Sequence, residues 1–433
     1  MITRADLQAM LDVEAALAEA EASLNIIPED AARAVRAAAR SDFYDLAALD
    51  AASVRAGNPA IPLVRELTAR IAATDAHASR YVHWGATSQD VIDTAIVLQL
   101  RKAVPVVTAD LERAAEAAAT HARRHAATIM AGRTWLQQAT PITFGLKAAG
   151  WVDALDRTAD SLKRALNEAL MLQFGGASGT LAALGEHGPA VAAAVAARLG
   201  LSVPAIPWHA HRDRLAALAC AMGVTTGTAG KIARDLALLA QTEIAEAHEP
   251  PGCSGGSSTM PQKQNPVRAA IAIAAAVRIP GLVATMLSAM PQEHERGIGG
   301  WQAEWDTLPQ IVALAGDAAR ALAGALEDLV VEPERMRHNL DATGGLAMAE
   351  AIAMRLAPVL GKQEAHDRIE RAARVAAAES RAFVEVLTAD PIVSGALDPS
   401  QLTRALSPER HLGSAAAFVT AVLDRHRKGQ AIK

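Results

Sequence analysis

A chain of 433 residues is long enough for two or three domains whose cores need no disulfide staples. Hydrophobic residues make up 51% of it but aromatics only 3%; alanine and leucine fill the difference, so the composition favours helices and argues against a β-rich fold. A formal charge of −5 leaves no electrostatic footprint for nucleic acid or an anionic membrane surface. Cys220 and Cys253 are too few and too far apart for a disulfide framework or a C-x-x-C site, as expected for a reducing cytoplasm. The first residues carry acids within their apolar pattern, unlike a secretory signal. The longest purely apolar runs, such as 269–277, fall well short of the roughly 20 residues that a bilayer crossing needs. The expectation is a soluble cytoplasmic protein with no membrane partner.

In chain order, residues 1–104 hold short helical windows broken at Pro28, Pro59 and Pro62 and read as an N-terminal helical domain. Near their end Thr87 and Ser88 precede a helical stretch with Asp90 in its first turn, where free backbone amides bind anions. A simple N-cap accounts for Thr87, Ser88 and Asp90 but not for His83 and Trp84 just before them. Residues 105–340 read as a central bundle. Proline spacing and apolar steps of three and four predict five long helical windows. These are 105–141, striped by Val107, Leu111, Ala114, Ala118 and Ala122; 141–175; 212–248, striped by Leu215, Leu218, Met222, Ile232, Leu236, Leu239 and Ile244; 267–290; and 308–331. Helices so rich in small apolar residues are buried on several sides, either in an ordinary antiparallel bundle or against other copies of the chain. Residues 341–433, opening on Gly344-Gly345 and interrupted at Pro358, Pro391, Pro399 and Pro408, read as a C-terminal helical domain.

Four segments could carry chemistry. Residues 250–266, PPGCSGGSSTMPQKQNP, form the least helical stretch, reading as a binding loop or a surface linker. Its amides with Lys263 and Asn265 suit a carboxylate. The second segment is YVHWGATSQD at 81–90. The third, GRTWLQQATPITFG at 132–145, sets Thr134, Gln137 and Gln138 around Trp135 ahead of a helix expected to start at Pro141. The fourth, QEHERGIGGWQAEW at 292–305, gathers acids, His294, Arg296 and two tryptophans around a glycine break. His121 and His125 have zinc-pair spacing but no following glutamate, and read as a solvated helix face. His209 and His211 lack a ligand cluster in sequence. No metal site and no cofactor are expected.

Taken in order, these segments resemble the fumarase/aspartase superfamily of lyases. GGSSTMPQKQNP at 255–266 matches its G-S-S-x-M-P-x-K-x-N-P loop, with support from TSQD at 87–90 and GRTWLQQATP at 132–141. The resemblance spans nearly the whole chain. It implies an all-α subunit whose five long central helices form a twenty-helix core in a homotetramer, with each active site shared between subunits. HWGATSQD, RTWLQQATPITFG, QFGGASGTLAAL, PWHAHRDR and QEHERGIGGWQAEW look like the lactonising carboxymuconate cycloisomerase branch.

Many lyases of the superfamily carry histidine where Trp135 stands, as a proton mover for poor leaving groups. A cycloisomerase expels a carboxylate, already a stable anion, so an indole can shape the pocket instead. This speaks against a C–N lyase such as adenylosuccinate lyase, and the intact loop speaks against a silent scaffold. The resemblance implies a small polycarboxylate substrate, Ser257 as acid/base, and Lys263 and Asn265 on the carboxylate that gathers charge. Thr87, Ser88, Thr134 and Gln137 match substrate-binding positions of the family, and His83 and Arg296 are expected as further carboxylate contacts. Gln262 and Gln264 stand where relatives typically carry histidine and arginine. All six tryptophans lie between Trp84 and Trp305, five of them in these segments, so the indoles are expected as pocket or motif-anchoring residues that mark where the active site lies.

Overall fold

The computed structural model describes residues 2–250, 252, 255, 256, 259, 260 and 263–431. It is all-α. The helices are α1 (Arg4–Ser23), α2 (Glu29–Ala38), α3 (Leu46–Ala56), α4 (Ala60–Ala72), α5 (Ser88–Arg124), α6 (Phe144–Ala169), α7 (Gly188–Leu199), α8 (Asp213–Leu239), α9 (Val267–Ser288), α10 (Gly300–Glu327) and α11 (Pro333–Asp341). They continue with α12 (Ala349–Leu360), α13 (Lys362–Glu379), α14 (Phe383–Ala389), α15 (Pro391–Ala396), α16 (Pro399–Ala405) and α17 (Ala415–Ala431). Two short antiparallel pairs join them, β1 (Ile129–Thr134) with β2 (Gln137–Thr143), and β3 (Ala247–His248) with β4 (Val330–Val331).

The five long windows are present as α5, α6, α8, α9 and α10, with corrected ends. Helix α5 begins at Ser88 rather than Pro105, and Pro105, Pro280 and Pro309 all lie inside helices. A proline removes one backbone hydrogen bond, at about 3 kcal/mol; burial of Leu100, Val104, Val107 and Leu111 along α5 outweighs that. Residues 129–143 form a hairpin where helix was expected to 141, and Pro141 sits in β2. Helix α8 stops at Leu239, so Ile244 lies outside it. His121 and His125 are not on a solvated face. Both are buried against Phe144, His121 Nε2 lies 2.9 Å from the Leu326 carbonyl, and burial pushes both imidazoles below the ordinary histidine range.

By length and composition α8 and α9 are apolar enough to cross a membrane, although no unbroken apolar run in them reaches that length. Single polar residues such as Arg278 interrupt a run without changing its average. Val267, Ile271, Val277 and Leu287 of α9 are exposed.

The chain forms two compact units, each assembled from separated segments. The first comprises Met1–Ala109, Asp160–Thr225 and Val277–Gly316. Its core joins Leu7, Leu11 and Leu17 of α1, Val35 of α2, Leu63 and Leu67 of α4, Leu98 of α5, and Val191 and Val195 of α7. A reciprocal Thr3–Asp6 capping box starts α1. The second comprises Asp110–Ala159, Thr226–Ala276 and Asp317–Lys433. In it the hairpin packs on α11, and α12 and α13 pack together around Ile352, Leu356, Ile369, Phe383 and Leu387. Buried His426 ties α17 down, with Nδ1 2.9 Å from Asp156 and Nε2 3.1 Å from Glu116.

Candidate active site

In the first unit the N-terminus of α5 organises the site. Asp90 is buried in the first turn of α5, and its carboxylate accepts five hydrogen bonds. Oδ2 takes the Thr87 amide (3.0 Å) and the Gly176 amide (2.9 Å). Oδ1 takes the Gly175 amide (2.9 Å), Gln173 Nε2 (3.2 Å) and His209 Nε2 (2.7 Å). The 173–176 segment is thereby held against the Thr87 turn. Gly175 must lack a side chain, because a Cβ there would lie 2.7 Å from Pro207 and 2.8 Å from His209. Arg296 closes the arrangement. Its guanidinium donates to Thr87 Oγ1 (3.2 Å) and to the Ala177 carbonyl (2.8 Å).

His83, Thr87, Ser88 and Arg296 are thus half-buried members of one unit, with Thr87 and Arg296 in contact. His83 Nδ1 lies 2.6 Å from Glu14 Oε1. A cation, an imidazole, hydroxyls and the free amides of a helix N-terminus together suit carboxylate groups.

Beneath this surface lies a second, fully buried ion cluster. Arg212 donates from Nε and Nη2 to Glu304, as close as 2.6 Å, and from Nη1 and Nη2 to Asp93 at 2.7 and 3.1 Å. Trp301 Nε1 and Gln89 Nε2 donate to Asp93, and the guanidinium carbon sits 4.9 Å from the Trp208 ring centre. Burial holds the Glu304 carboxyl above its ordinary range, while Arg212 pulls it down. Glu14, Gln173, His209 and this cluster are absent from the sequence-based site. An acid inside the apolar stripe of α1, seven positions after Leu7, was the available signal for Glu14.

In the second unit the hairpin presents Thr134, Trp135 and Gln137 at its tip. Trp135 and Leu136 both adopt positive φ (52° and 63°), the geometry of a tight hairpin turn that Asn-Gly adopts more easily. Trp135 is 98% exposed, so within one chain it shapes no pocket. Just below its tip the hairpin is anchored. Arg133 donates two hydrogen bonds to buried Glu246 (2.7 and 2.6 Å), which also accepts from Asn339 Nδ2 (2.8 Å).

The signature loop is pinned at its neck, where the Gly255 amide meets the Asn265 carbonyl (3.0 Å) and the Asn265 amide the Gly255 carbonyl (2.8 Å). The Lys263 amide donates to the Met260 carbonyl (3.0 Å) and its side chain is exposed. Ser257 and Gln262 lie outside the described residues.

Three of the six indoles take the anchoring role. Trp151, Trp208 and Trp301 are buried and donate to Asp235, the Leu172 carbonyl and Asp93. Trp305 stacks edge-on against Trp301, and only Trp84 and Trp135 are exposed. Rare aromatics mark anchors of the scaffold as often as a site.

Residues 1–281 match the family described as Lyase, and residues 345–422 the one described as Adenylosuccinate lyase C-terminus. A 3-carboxy-cis,cis-muconate cycloisomerase of Pseudomonas aeruginosa is 50% identical over 98% of this chain and 92% of that protein. One of Bradyrhizobium diazoefficiens is 50% identical over 97% and 94%. The crystal structure of 3-carboxy-cis,cis-muconate lactonizing enzyme from Pseudomonas putida matches with a TM-score of 0.92 at 47% identity, covering 99% of this chain and 96% of that one. The chain therefore belongs to the lyase family of the fumarase/aspartase superfamily.

Proposed function

We propose that this chain is a cycloisomerase interconverting 3-carboxy-cis,cis-muconate and γ-carboxymuconolactone, an intramolecular lyase of protocatechuate breakdown. The observation that carries this is the near full-length likeness at half identity to cycloisomerases of that substrate. Trp135 agrees, since expelling a carboxylate needs no proton donor at that position.

In the lactonising direction a substrate carboxylate oxygen bonds to C4. The electron pair of the double bond moves toward the conjugated carboxyl group as an enolate-like aci-carboxylate, and the neighbouring carbon takes up a proton. Lys263 and Asn265 hold the carboxylate where charge accumulates, which is where preorganised donors lower a barrier most. Ser257 transfers the proton. Thr87, Ser88, Arg296 and His83 hold remaining carboxylates, with Thr134, Trp135 and Gln137 completing the pocket. The absorbance of the conjugated diene falls as purified protein turns over 3-carboxy-cis,cis-muconate. No change with that substrate, together with fumarate release from adenylosuccinate, overturns the assignment.

The working enzyme is a homotetramer with sites shared between subunits. Exposure of Val267, Ile271, Val277 and Leu287 on α9, and of Trp135 and Leu136 at the hairpin tip, supports this, because so much apolar surface calls for a partner. Light scattering at micromolar protein returns four times the 45.1 kDa chain mass, and Ile271→Asp with Val277→Asp lowers it. A monomeric mass for the parent protein contradicts the shared-site arrangement. The count of two cysteines fits a cytoplasmic location. Residues 1–104, 105–340 and 341–433 are read as N-terminal, central and C-terminal domains. The apolar cluster around Phe383 and the separate family match over 345–422 support the last of these.

A further inference from the structure

His83 is held at two unfavourable positions at once. Its backbone lies in the left-handed region (φ 58°), which a non-glycine residue avoids unless its surroundings force it. Its partner Glu14 is a carboxylate with no exposed side-chain surface, set in the apolar stripe of α1. One Glu14 oxygen meets His83 Nδ1 at 2.6 Å, and the other, Oε2, has no hydrogen-bond partner among the described residues. A buried carboxylate paired on one side only is tolerated if that partner is a cation. The core would be better served by leucine at position 14, so this acid and this strained turn serve the imidazole rather than the fold.

We propose that Glu14 is a positioning residue that holds His83 as an imidazolium, with Nδ1–H on Glu14 and Nε2–H left as a charged donor for one substrate carboxylate. This deepens the role given to His83 above and rests on that reading. Nε2 makes no hydrogen bond to any described residue, so none of them consumes the donor.

The surrounding charges agree. Burial lowers the proton affinity of His83, but the charge and hydrogen bond of Glu14, from α1, and the charge of Asp90, from α5, raise it further, and the balance lies above the ordinary histidine range. Glu21, one heptad beyond Glu14 on α1, is pushed up to about 8 by burial and by the Glu14 charge. It is therefore protonated near neutrality and adds no charge beside the Glu14–His83 pair. Since the folded-state value of His83 is raised, binding that depends on its charge is complete at lower pH and is lost as pH rises through that value.

The test begins with the parent protein. Carbon-13 labelling at histidine Cε1, with the His83 signal assigned by His83→Gln, follows the titration of His83 directly. A midpoint above the ordinary histidine value of about 6.5 is expected, and one below it overturns the proposal whether or not any variant folds. Glu14→Gln keeps the shape and removes the charge. It is expected to cut the proton affinity of His83 by about tenfold and to raise KM near pH 7.5 by a similar factor, with kcat within about threefold. An unchanged titration in Glu14→Gln also overturns it. A protein inert toward the carboxymuconate but with the expected titration would instead refute the substrate assignment and leave the Glu14–His83 pairing standing.

Discussion

Arg212→Met is expected to lower the unfolding free energy by about 3–5 kcal/mol, the usual loss when one partner of a buried ion cluster is removed. Arg212 is 1% exposed and pairs with both Asp93 and Glu304, whose side chains are 0% and 1% exposed. Methionine fills much of the space but leaves two buried carboxylates facing each other. They can persist only by taking up protons, so their folded-state values rise far above those of the unfolded chain. A raised carboxyl contributes stability below its unfolded value and loses it as pH climbs through the folded one. The variant should therefore be hurt more at pH 8 than at pH 5. Replacing all three charges, as Arg212→Met with Asp93→Leu and Glu304→Leu, should recover much of the loss, since an apolar trio needs no pairing. Urea unfolding at fixed protein concentration measures all of this. A single variant within 1 kcal/mol of the parent at pH 8 would mean that the cluster does not carry the stability assigned to it.

That cluster also shows which parts of the molecule are legible in sequence. Thr87, Ser88 and Asp90 stand at the start of α5 as expected, because N-cap chemistry is decided within one turn. The all-α class follows from composition, which averages over hundreds of residues. The hairpin at 129–143 is hidden in the sequence because most of it lies in a long proline-free window and its turn is Trp-Leu rather than Asn-Gly. Pro105, Pro280 and Pro309 are poor punctuation where tertiary burial outweighs one lost hydrogen bond. The partners of Arg212 and His83 are the hardest to foresee. Glu304 lies 92 positions from Arg212, and Glu14 lies 69 from His83, while on a helix an acid reads as solvated surface until the fold buries it. The tryptophans are legible only as a class, since Trp301 and Trp208 anchor Asp93 and the Leu172 carbonyl, partners that no local pattern names.

The largest effect on activity is expected from Ser257→Ala, which should lower kcat by about 10²–10⁴-fold, the range for removing a general acid or base, and leave KM within a few-fold. The chemistry asks for such a group because the lactone is opened by removing a proton from carbon, and water alone is too weak a base. Serine is weak as well until its alkoxide is stabilised, and Lys263 is the cation the same loop supplies. The described residues show how the loop is framed. The Gly255–Asn265 pairing closes its neck, and a Cβ at Gly255 would lie 2.3 Å from Val267 Cγ2, so the neck closes only without a side chain there. Lys263→Met separates the two roles. It removes charge from both the bound carboxylate and the alkoxide, so it should raise KM and lower kcat together, whereas Ser257→Ala lowers kcat alone. Initial rates from diene absorbance, with light scattering to confirm the assembly, distinguish these patterns. If Ser257→Ala keeps kcat within tenfold of the parent while Lys263→Met loses turnover, the lysine is the proton-transfer group and the serine only binds.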